Sequence, residues 1–255
     1  MSTPTEALPP RQRLRRTLLL AFLLLFPLTF NYYSPALPVY GALERVAPFS
    51  LAFWIAWTAA GLVLGRAACG WICPVGALQE LWDGACGRRR VAVGRAGAVR
   101  WLLCAAWVGA IVWAVRRGGG LARFDPLYKT EHVVSWDDLH GAYVYVAMFG
   151  LGTLLAVALG KRGFCRALCW WAPLNTAAAR AASALRLPVL GLAGDAERCR
   201  GCDRCRSACP AGLDVRAMVA GGAPGGPECV LCGSCVDACR TGAVRFAAGR
   251  HARHP

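Results

Sequence analysis

Two matching groups of cysteines most strongly limit what the C-terminal part of this chain can fold into. The first group is Cys199, Cys202, Cys205 and Cys209, and the second is Cys229, Cys232, Cys235 and Cys239. Each group reads C-x2-C-x2-C-x3-C. Three cysteines at this spacing wrap their thiolates around one 4Fe–4S cubane, whereas the fourth cysteine reaches a second cubane. The repeat therefore predicts two 4Fe–4S clusters.

The predicted ligation is crossed between the two groups. The first cluster takes Cys199, Cys202, Cys205 and Cys239, and the second takes Cys229, Cys232, Cys235 and Cys209. Structural zinc sites use paired C-x2-C knuckles separated by a longer loop, which is not this arrangement. Because so short a segment cannot build an adequate apolar core, the clusters are expected to staple it. We expect a small α+β domain at residues 197–248, followed by a tail at 249–255.

Four apolar stretches precede this domain. They run from Thr17 to about Gly41, from about Val46 to Gly65, from about Ala96 to Val115, and from about Leu139 to Gly160. The third has an uncharged core of only Trp101 to Val115, which is short for a bilayer. The basic start of the first stretch also fits a signal peptide, but no small-residue cleavage site follows, which favours an uncleaved anchor. The pattern predicts an all-α membrane domain of four transmembrane helices at residues 17–196.

The basic residues predict the orientation of these spans. Of the 29 Lys and Arg residues, 24 fall on one side of the four stretches, and the others are Arg45, Arg116, Arg117, Arg123 and Lys129. By the positive-inside rule, both termini and the cysteine-rich domain should face the cytoplasm, in a multi-pass protein of the inner membrane. Residues 1–16 then form a cytoplasmic basic tail. The net charge of +15 is explained by this topology and by contact with anionic lipid, without any nucleic acid.

Two further pairs of cysteines follow the second and fourth spans. Cys69 and Cys73 are four residues apart, and so are Cys165 and Cys169. Both pairs should reach the cytoplasmic face. The spacing places each pair on one face of a helical turn, which is compatible with joint ligation. A third cluster or metal site, redox-active thiols, and plain packing residues all remain open for these four. Trp71, Trp170 and Trp171 interleave with them and are expected to shield them from water.

Four spans, C-x3-C-P after the second, and a two-cluster domain resemble the membrane 4Fe–4S polyferredoxin family related to NapH and NosR. The final domain resembles bacterial two-cluster ferredoxins. The first pair matches the family motif through Pro74, whereas the second has Trp170 after Cys169 and its proline only at Pro173. This departure weakens transfer of the quinol dehydrogenase role that the resemblance implies.

The resulting functional prediction is an integral-membrane electron carrier. Electrons would pass through the two clusters between a membrane donor, with quinol as a candidate, and a redox partner protein. Arginines near the clusters (Arg198, Arg200, Arg204, Arg206, Arg216 and Arg240) favour an acidic ferredoxin or flavodoxin, and a reductase complex is another candidate. The alternative is an accessory factor for metal-centre maturation, metal reduction or redox sensing. Since the sequence has no nucleotide loop or flavin signature, an electron-transfer subunit is favoured over a stand-alone enzyme.

Overall fold

The computed structural model describes residues 8–86, 91, 94–130, 139–221, 226 and 228–248. The predicted tail at 249–255 and the first seven residues of the basic tail lie outside these ranges. In the described part, helices make up most of the region before residue 190. They are α1 (Pro10–Thr29), α2 (Leu37–Leu43), α3 (Phe49–Leu64), α4 (Ala67–Trp71), α5 (Pro74–Cys86), α6 (Val99–Gly118), α7 (Leu139–Leu159), α8 (Gly163–Ala167) and α9 (Ala172–Ala184), with short 3-10 turns at Phe30–Tyr33 and Gly94–Ala98.

Proline and glycine set several of the helix ends. Pro10 opens α1, where its missing N–H costs no hydrogen bond. The first stretch then breaks after Thr29 and resumes as α2, as its prolines predict. Helix α6 ends at Gly119, whose left-handed backbone (φ +77°) lets the amides of Gly119 and Gly120 bond back to the last turn. The third stretch is thus a 20-residue helix and longer than its uncharged core.

Length and hydropathy separate the four stretches. The segment Pro10–Leu43 and helix α6 are long and apolar enough to cross a membrane, whereas Phe49–Leu64 and Tyr143–Leu159 are shorter apolar helices. At 1.5 Å per residue, the 16 residues of α3 span about 24 Å, less than the roughly 30 Å hydrocarbon core. The four-span topology therefore stays a prediction.

A two-stranded sheet departs from the predicted all-α character of this region. Strand β1 (Val46–Pro48) pairs in parallel with β2 (Arg123–Asp125). Residues before a proline favour extended backbone, and Val46 and Ala47 precede Pro48. The Arg45 carbonyl extends the pairing by accepting from the amides of Ala122 and Arg123. The start of the second predicted span is thus extended chain, and its helix begins only at Phe49.

The C-terminal unit combines one small sheet with short helices. Its elements are β3 (Leu190–Gly194), α10 (Arg204–Ala208), α11 (Val215–Ala220), α12 (Ser234–Ala238) and β4 (Val244–Ala248). The strands pair antiparallel, from Leu190 opposite Ala248 to Gly194 opposite Val244. The apolar core lies beneath this sheet. Since β3 is half of the sheet, the α+β unit includes residues ahead of the predicted boundary at 197.

Candidate iron–sulfur centres

The cysteine repeat of the C-terminal unit is also a repeat of backbone conformation. Each second-group position lies 30 residues after its first-group counterpart, as Cys229 follows Cys199. Left-handed backbone occurs at Gly201 and Leu231, and again at Asp203 and Gly233. The last two residues cap α10 and α12, which carry the third cysteine of each group. The sequence therefore builds the same cysteine loop twice.

The second group encloses a cavity. Its lining includes the four cysteines predicted to hold the second cluster, which are Cys209, Cys229, Cys232 and Cys235. Burial raises the pKa of the Cys229 thiol to about 12, with the charges of Cys232 and Cys209 adding to the effect. Since a ligating thiol must lose its proton, this pocket needs positive charge to become a thiolate site. Four cysteines that line one cavity are the donor set that a 4Fe–4S cluster takes.

The first group lies nearer to solvent. Cys202 is exposed, and Cys199, Cys205 and Cys239 are partly buried. Burial raises the pKa of Cys205, and the charges of Cys239 and Cys199 add to this. Cys239 thus neighbours the first group, whereas Cys209 neighbours the second, which are the neighbours that crossed ligation requires. The crossed pairing itself stays a prediction.

The two membrane-side cysteine pairs occupy equivalent places in two copies of one structural unit. An apolar helix is followed by a short helix that holds the first cysteine, and a third helix begins just after the second cysteine. The copies are α3–α4–α5, with Cys69 and Cys73, and α7–α8–α9, with Cys165 and Cys169. Pro74 and Pro173 lie in the first turns of the third helices. The delayed proline of the second copy therefore keeps its structural role as a helix start.

The two copies bring their cysteines together. Cys69 is buried in an apolar cluster that Cys73 and Cys169 also contact. Burial raises the pKa of Cys169 to about 12, and the charges of Cys165 and then Cys69 add to this. The Cys69 thiol pKa is likewise raised by burial. The four cysteines therefore lie together, with Cys69 and Cys165 buried and Cys73 and Cys169 partly buried.

The donor atoms of the membrane-side group are four thiols. Among the described ranges, no three His, Cys, Asp or Glu side chains converge closely enough to hold one metal ion. A cubane requires less convergence, because its four irons sit at separate corners and each takes one thiolate. Polar N–H groups also point at these sulfurs: the Gln79 amide donates to Cys165 Sγ at 3.2 Å, and the Gly76 amide donates to Cys73 Sγ at 3.4 Å. Such bonds stabilise thiolates.

Aromatic rings cover this group from the apolar side. Trp171 stacks near Trp54, with centroids 4.2 Å apart, and meets Trp107 at 5.5 Å. Trp170 contacts the same apolar cluster. Trp71 instead turns toward the C-terminal unit and donates to the Leu231 carbonyl at 3.1 Å. Trp170 and Trp171 thus take the predicted shielding position, and Trp71 joins two loops.

Comparison with known families agrees with this division of the cysteines. The family described as "4Fe-4S binding domain" matches residues 46–92 and 142–181, which hold both membrane-side pairs. The family described as "4Fe-4S dicluster domain" matches residues 198–244, which hold all eight remaining ligand candidates. The chain belongs to the polyferredoxin-like 4Fe–4S proteins.

Among curated proteins, Protein NirI of Paracoccus denitrificans (strain Pd 1222) is 32% identical over 201 residues. The match covers 74% of this polyferredoxin-like chain and 27% of that protein. The chain thus spans about a quarter of the length of this relative. No solved structure matches the chain significantly.

The sequence did not predict the buried charged residues that lie next to the membrane-side cysteines. Arg66 and Arg162, which follow the second and fourth apolar stretches, are 5% and 2% exposed. Each lies three residues before the first cysteine of its copy, so the shared pattern R-x2-C-x3-C was a usable signal. Arg162 donates to the Cys69 carbonyl at 2.8 Å and pairs with Glu80, which also accepts two hydrogen bonds from Arg15. No local pattern indicates Glu80 or Arg15, because their partners are distant in sequence.

Proposed function

We propose that this chain is an integral-membrane electron carrier with three 4Fe–4S clusters in series. The observation that carries the proposal is the contiguity of the three cysteine groups. Cys69, Cys73 and Cys169 share an apolar cluster with Cys232 of the second ferredoxin group. Cysteines of the second and first ferredoxin groups meet in another apolar cluster. Clusters in these places would supply one-electron steps and no bond chemistry.

The exposed apolar surface supports a membrane location. Large apolar side chains point outward on α1, α3, α6 and α7, where Leu24, Ile55, Leu102 and Leu154 are 62–70% exposed. Water disfavours so much apolar surface, whereas lipid accepts it. We propose four spans, with the shorter α3 accommodated by local thinning of the bilayer. The excess of Lys and Arg supports a proposed orientation with the termini and all cysteine groups on the cytoplasmic side of the inner membrane.

We propose that electrons leave the protein through the exposed first cysteine group and pass to a redox partner. Three of the six arginines around it are partly neutralised, since Arg198, Arg206 and Arg216 pair with Asp195, Asp214 and Asp203. Arg200 and Arg204 add further positive charge close to the cysteines of this group. This patch would attract an acidic ferredoxin or flavodoxin, or an acidic face of a reductase complex.

Quinol is the proposed membrane donor, and one pocket suits it. The pocket opens between α1, α5 and the Cys209 loop, with an apolar wall that includes Leu19, Leu20 and Leu23. Its polar end is formed by Arg16, Glu80, Asp83, Lys161 and Ser207. Amphipathic pockets with a few polar groups are the usual sites of such ligands. Quinol oxidation releases two electrons and two protons, and the carboxylate of Asp83 is the candidate proton acceptor in this pocket, since Glu80 is ion-paired with Arg15 and Arg162.

The quinol site can be tested by narrowing its apolar wall. Leu23→Trp should raise the KM for a short-chain quinol that reduces the protein anaerobically. Leu24→Trp is the matched control, because Leu24 points outward and is 68% exposed. Equal effects of the two substitutions, or none from Leu23→Trp, would move the donor site elsewhere.

Iron counting and EPR after anaerobic purification test the carrier itself. We expect about twelve irons per chain, four for each of three cubanes, and signals of interacting clusters on reduction. Cys169→Ser should remove the membrane-side cluster and leave about eight irons. Cys104→Ser is the control, since Cys104 lies apart in α6. About eight irons in the unmodified protein would refute the third cluster, and zinc without iron would refute the proposal as a whole.

A further inference from the structure

Two cysteine loops from distant parts of the chain touch through their backbones. Gly70 lies between Cys69 and Cys73, and Val230 lies between Cys229 and Cys232. A Cβ added at Gly70 would overlap the Val230 carbonyl oxygen and lie 3.2 Å from its carbonyl carbon. Only glycine permits this approach. Val230 is 2% exposed and packs in the same apolar cluster as Cys69 and Cys232.

The residues beside this contact strengthen it. The Trp71 indole N–H donates to the Leu231 carbonyl at 3.1 Å. Leu231 has left-handed backbone (φ +50°), which is sterically unfavourable for a residue with a Cβ. The first repeat avoids this cost, because Gly201 stands at the equivalent position. Strain of this kind persists only where the surroundings fix it and is concentrated at functional places.

Buried polar side chains of α1 hold both loops from one side. Gln12 donates to the Cys232 carbonyl at 3.0 Å, and Arg15 donates to the Gly70 carbonyl at 3.1 Å. The two are joined, because Arg15 Nε donates to Gln12 Oε1 at 3.0 Å. Gln12 and Arg15 are 5% and 2% exposed. One helix thus bridges a loop of the membrane-side group and a loop of the ferredoxin group.

Two consecutive residues after α7 make a second bridge. Lys161 donates to the Cys209 carbonyl at 2.7 Å, and Arg162 donates to the Cys69 carbonyl at 2.8 Å. Both side chains are at most 5% exposed. Burying a charge is costly unless it is paired or hydrogen-bonded. Here the two buried cations donate hydrogen bonds to backbone carbonyls of candidate cluster ligands. One carbonyl belongs to the second ferredoxin group and the other to the membrane-side group.

We infer that the Gly70–Val230 contact couples the membrane-side cysteine group to the second ferredoxin group and that Gln12, Arg15, Lys161 and Arg162 are the positioning residues that hold it. The inference rests on the proposed third cluster. It makes the second group the middle of three centres, between the membrane-side group and the exposed first group. Clusters held by the two groups would exchange single electrons, with no bond formed or broken and no proton moved.

Gly70→Ala tests the contact directly. The added methyl group must push the two loops apart, so we expect loss of the spin–spin interaction between the membrane-side and second clusters in reduced samples, with iron content unchanged. Amide hydrogen exchange at Val230 and Leu231 should become faster. Gly150→Ala is the matched control, because a Cβ there meets nothing within 4 Å. Unchanged spin coupling and exchange in Gly70→Ala would overturn the inference.

A gentler variant covers the case in which Gly70→Ala does not fold. Trp71→Phe keeps an aromatic ring but removes the N–H that reaches Leu231, and it should weaken the coupling and speed exchange at Leu231. The iron count separates the two proposals. About eight irons in the unmodified protein would defeat the third cluster while hydrogen exchange still tests the contact. About twelve irons with no response to either variant would defeat only the coupling.

Discussion

Replacing Glu80 with glutamine should destabilise the protein strongly, although no cysteine is touched. The Glu80 carboxylate accepts from Arg15 at 3.0 and 2.9 Å and also from Arg162. The side chains of Arg15 and Arg162 are 3% and 2% exposed, and that of Glu80 is 16% exposed. Removing one partner of a buried ion pair costs about 3–5 kcal/mol. Because water partly reaches Glu80, we expect the lower end, about 3 kcal/mol, which lowers the folding equilibrium constant roughly a hundredfold.

The measurement is the free energy of unfolding in detergent, with Glu44→Gln as the control. Glu44 makes the same kind of ion pair with Lys129, but at 3.8 Å and with both side chains at least half exposed. Exposed pairs contribute about 0–1 kcal/mol. A Glu80→Gln cost no larger than that of Glu44→Gln would refute the view that the two arginines depend on this carboxylate.

Acid should lower the free energy of unfolding of the unmodified protein for the same reason. Burial opposes the charge on Glu80, but Arg162 and Arg15 outweigh it and hold the Glu80 pKa below its usual range. A carboxyl whose pKa is lower in the folded state stabilises fully above its unfolded pKa, near 4.3. That stability is lost as pH falls through the folded pKa. The difference in stability between the unmodified protein and Glu80→Gln should therefore shrink in acid, and a constant difference would contradict the assignment.

Three further predictions concern the candidate centres and their domain. Arg66→Gln should lower the midpoint potential of the membrane-side cluster in an EPR redox titration, because a buried positive charge near its thiolates favours the reduced state. Asp214→Ala should cost about 1 kcal/mol of unfolding free energy, since the Asp214 side chain caps α11 by accepting from the Ala217 amide at 3.1 Å. Arg204→Ala should slow reduction of an acidic ferredoxin or flavodoxin at low salt and have little effect at high salt, whereas an effect equal at both would argue against steering.

The ferredoxin-like repeat could be predicted because residues close together in the sequence determine each cysteine loop. Each cysteine loop is specified by a run of eleven residues, from Cys199 to Cys209 in the first case. Positions that need left-handed backbone are filled in part by residues that tolerate it, such as Gly201 and Gly233. The family match over 198–244 agrees with the predicted clusters as a class. The short sheet was harder to place, because β3 and β4 are paired across some 50 residues and neither has a distinctive pattern.

The sequence left open whether the two membrane-side cysteine pairs meet in one site. The C-x3-C spacing states that Cys69 and Cys73 share a helical turn, but it does not state that Cys165 and Cys169 face them. That meeting depends on how α3, α5, α7 and α9 pack, which is a property of whole helix faces. The same holds for Gln79, whose bond to Cys165 joins residues 86 positions apart.

Three basic residues that follow or precede the apolar stretches have a structural role that their charge alone does not reveal. Counted as charges, Arg15, Lys161 and Arg162 are simply part of the excess that orients the chain. Solvated lysines and arginines would serve that purpose equally well, yet these three are almost wholly buried. Orientation therefore cannot explain their burial, whereas hydrogen bonds to the carbonyls of Gly70, Cys209 and Cys69 can. Under the proposed topology, the same cations would therefore have two roles, because they add to the charge that orients the chain and they hold the cysteine loops by hydrogen bonds.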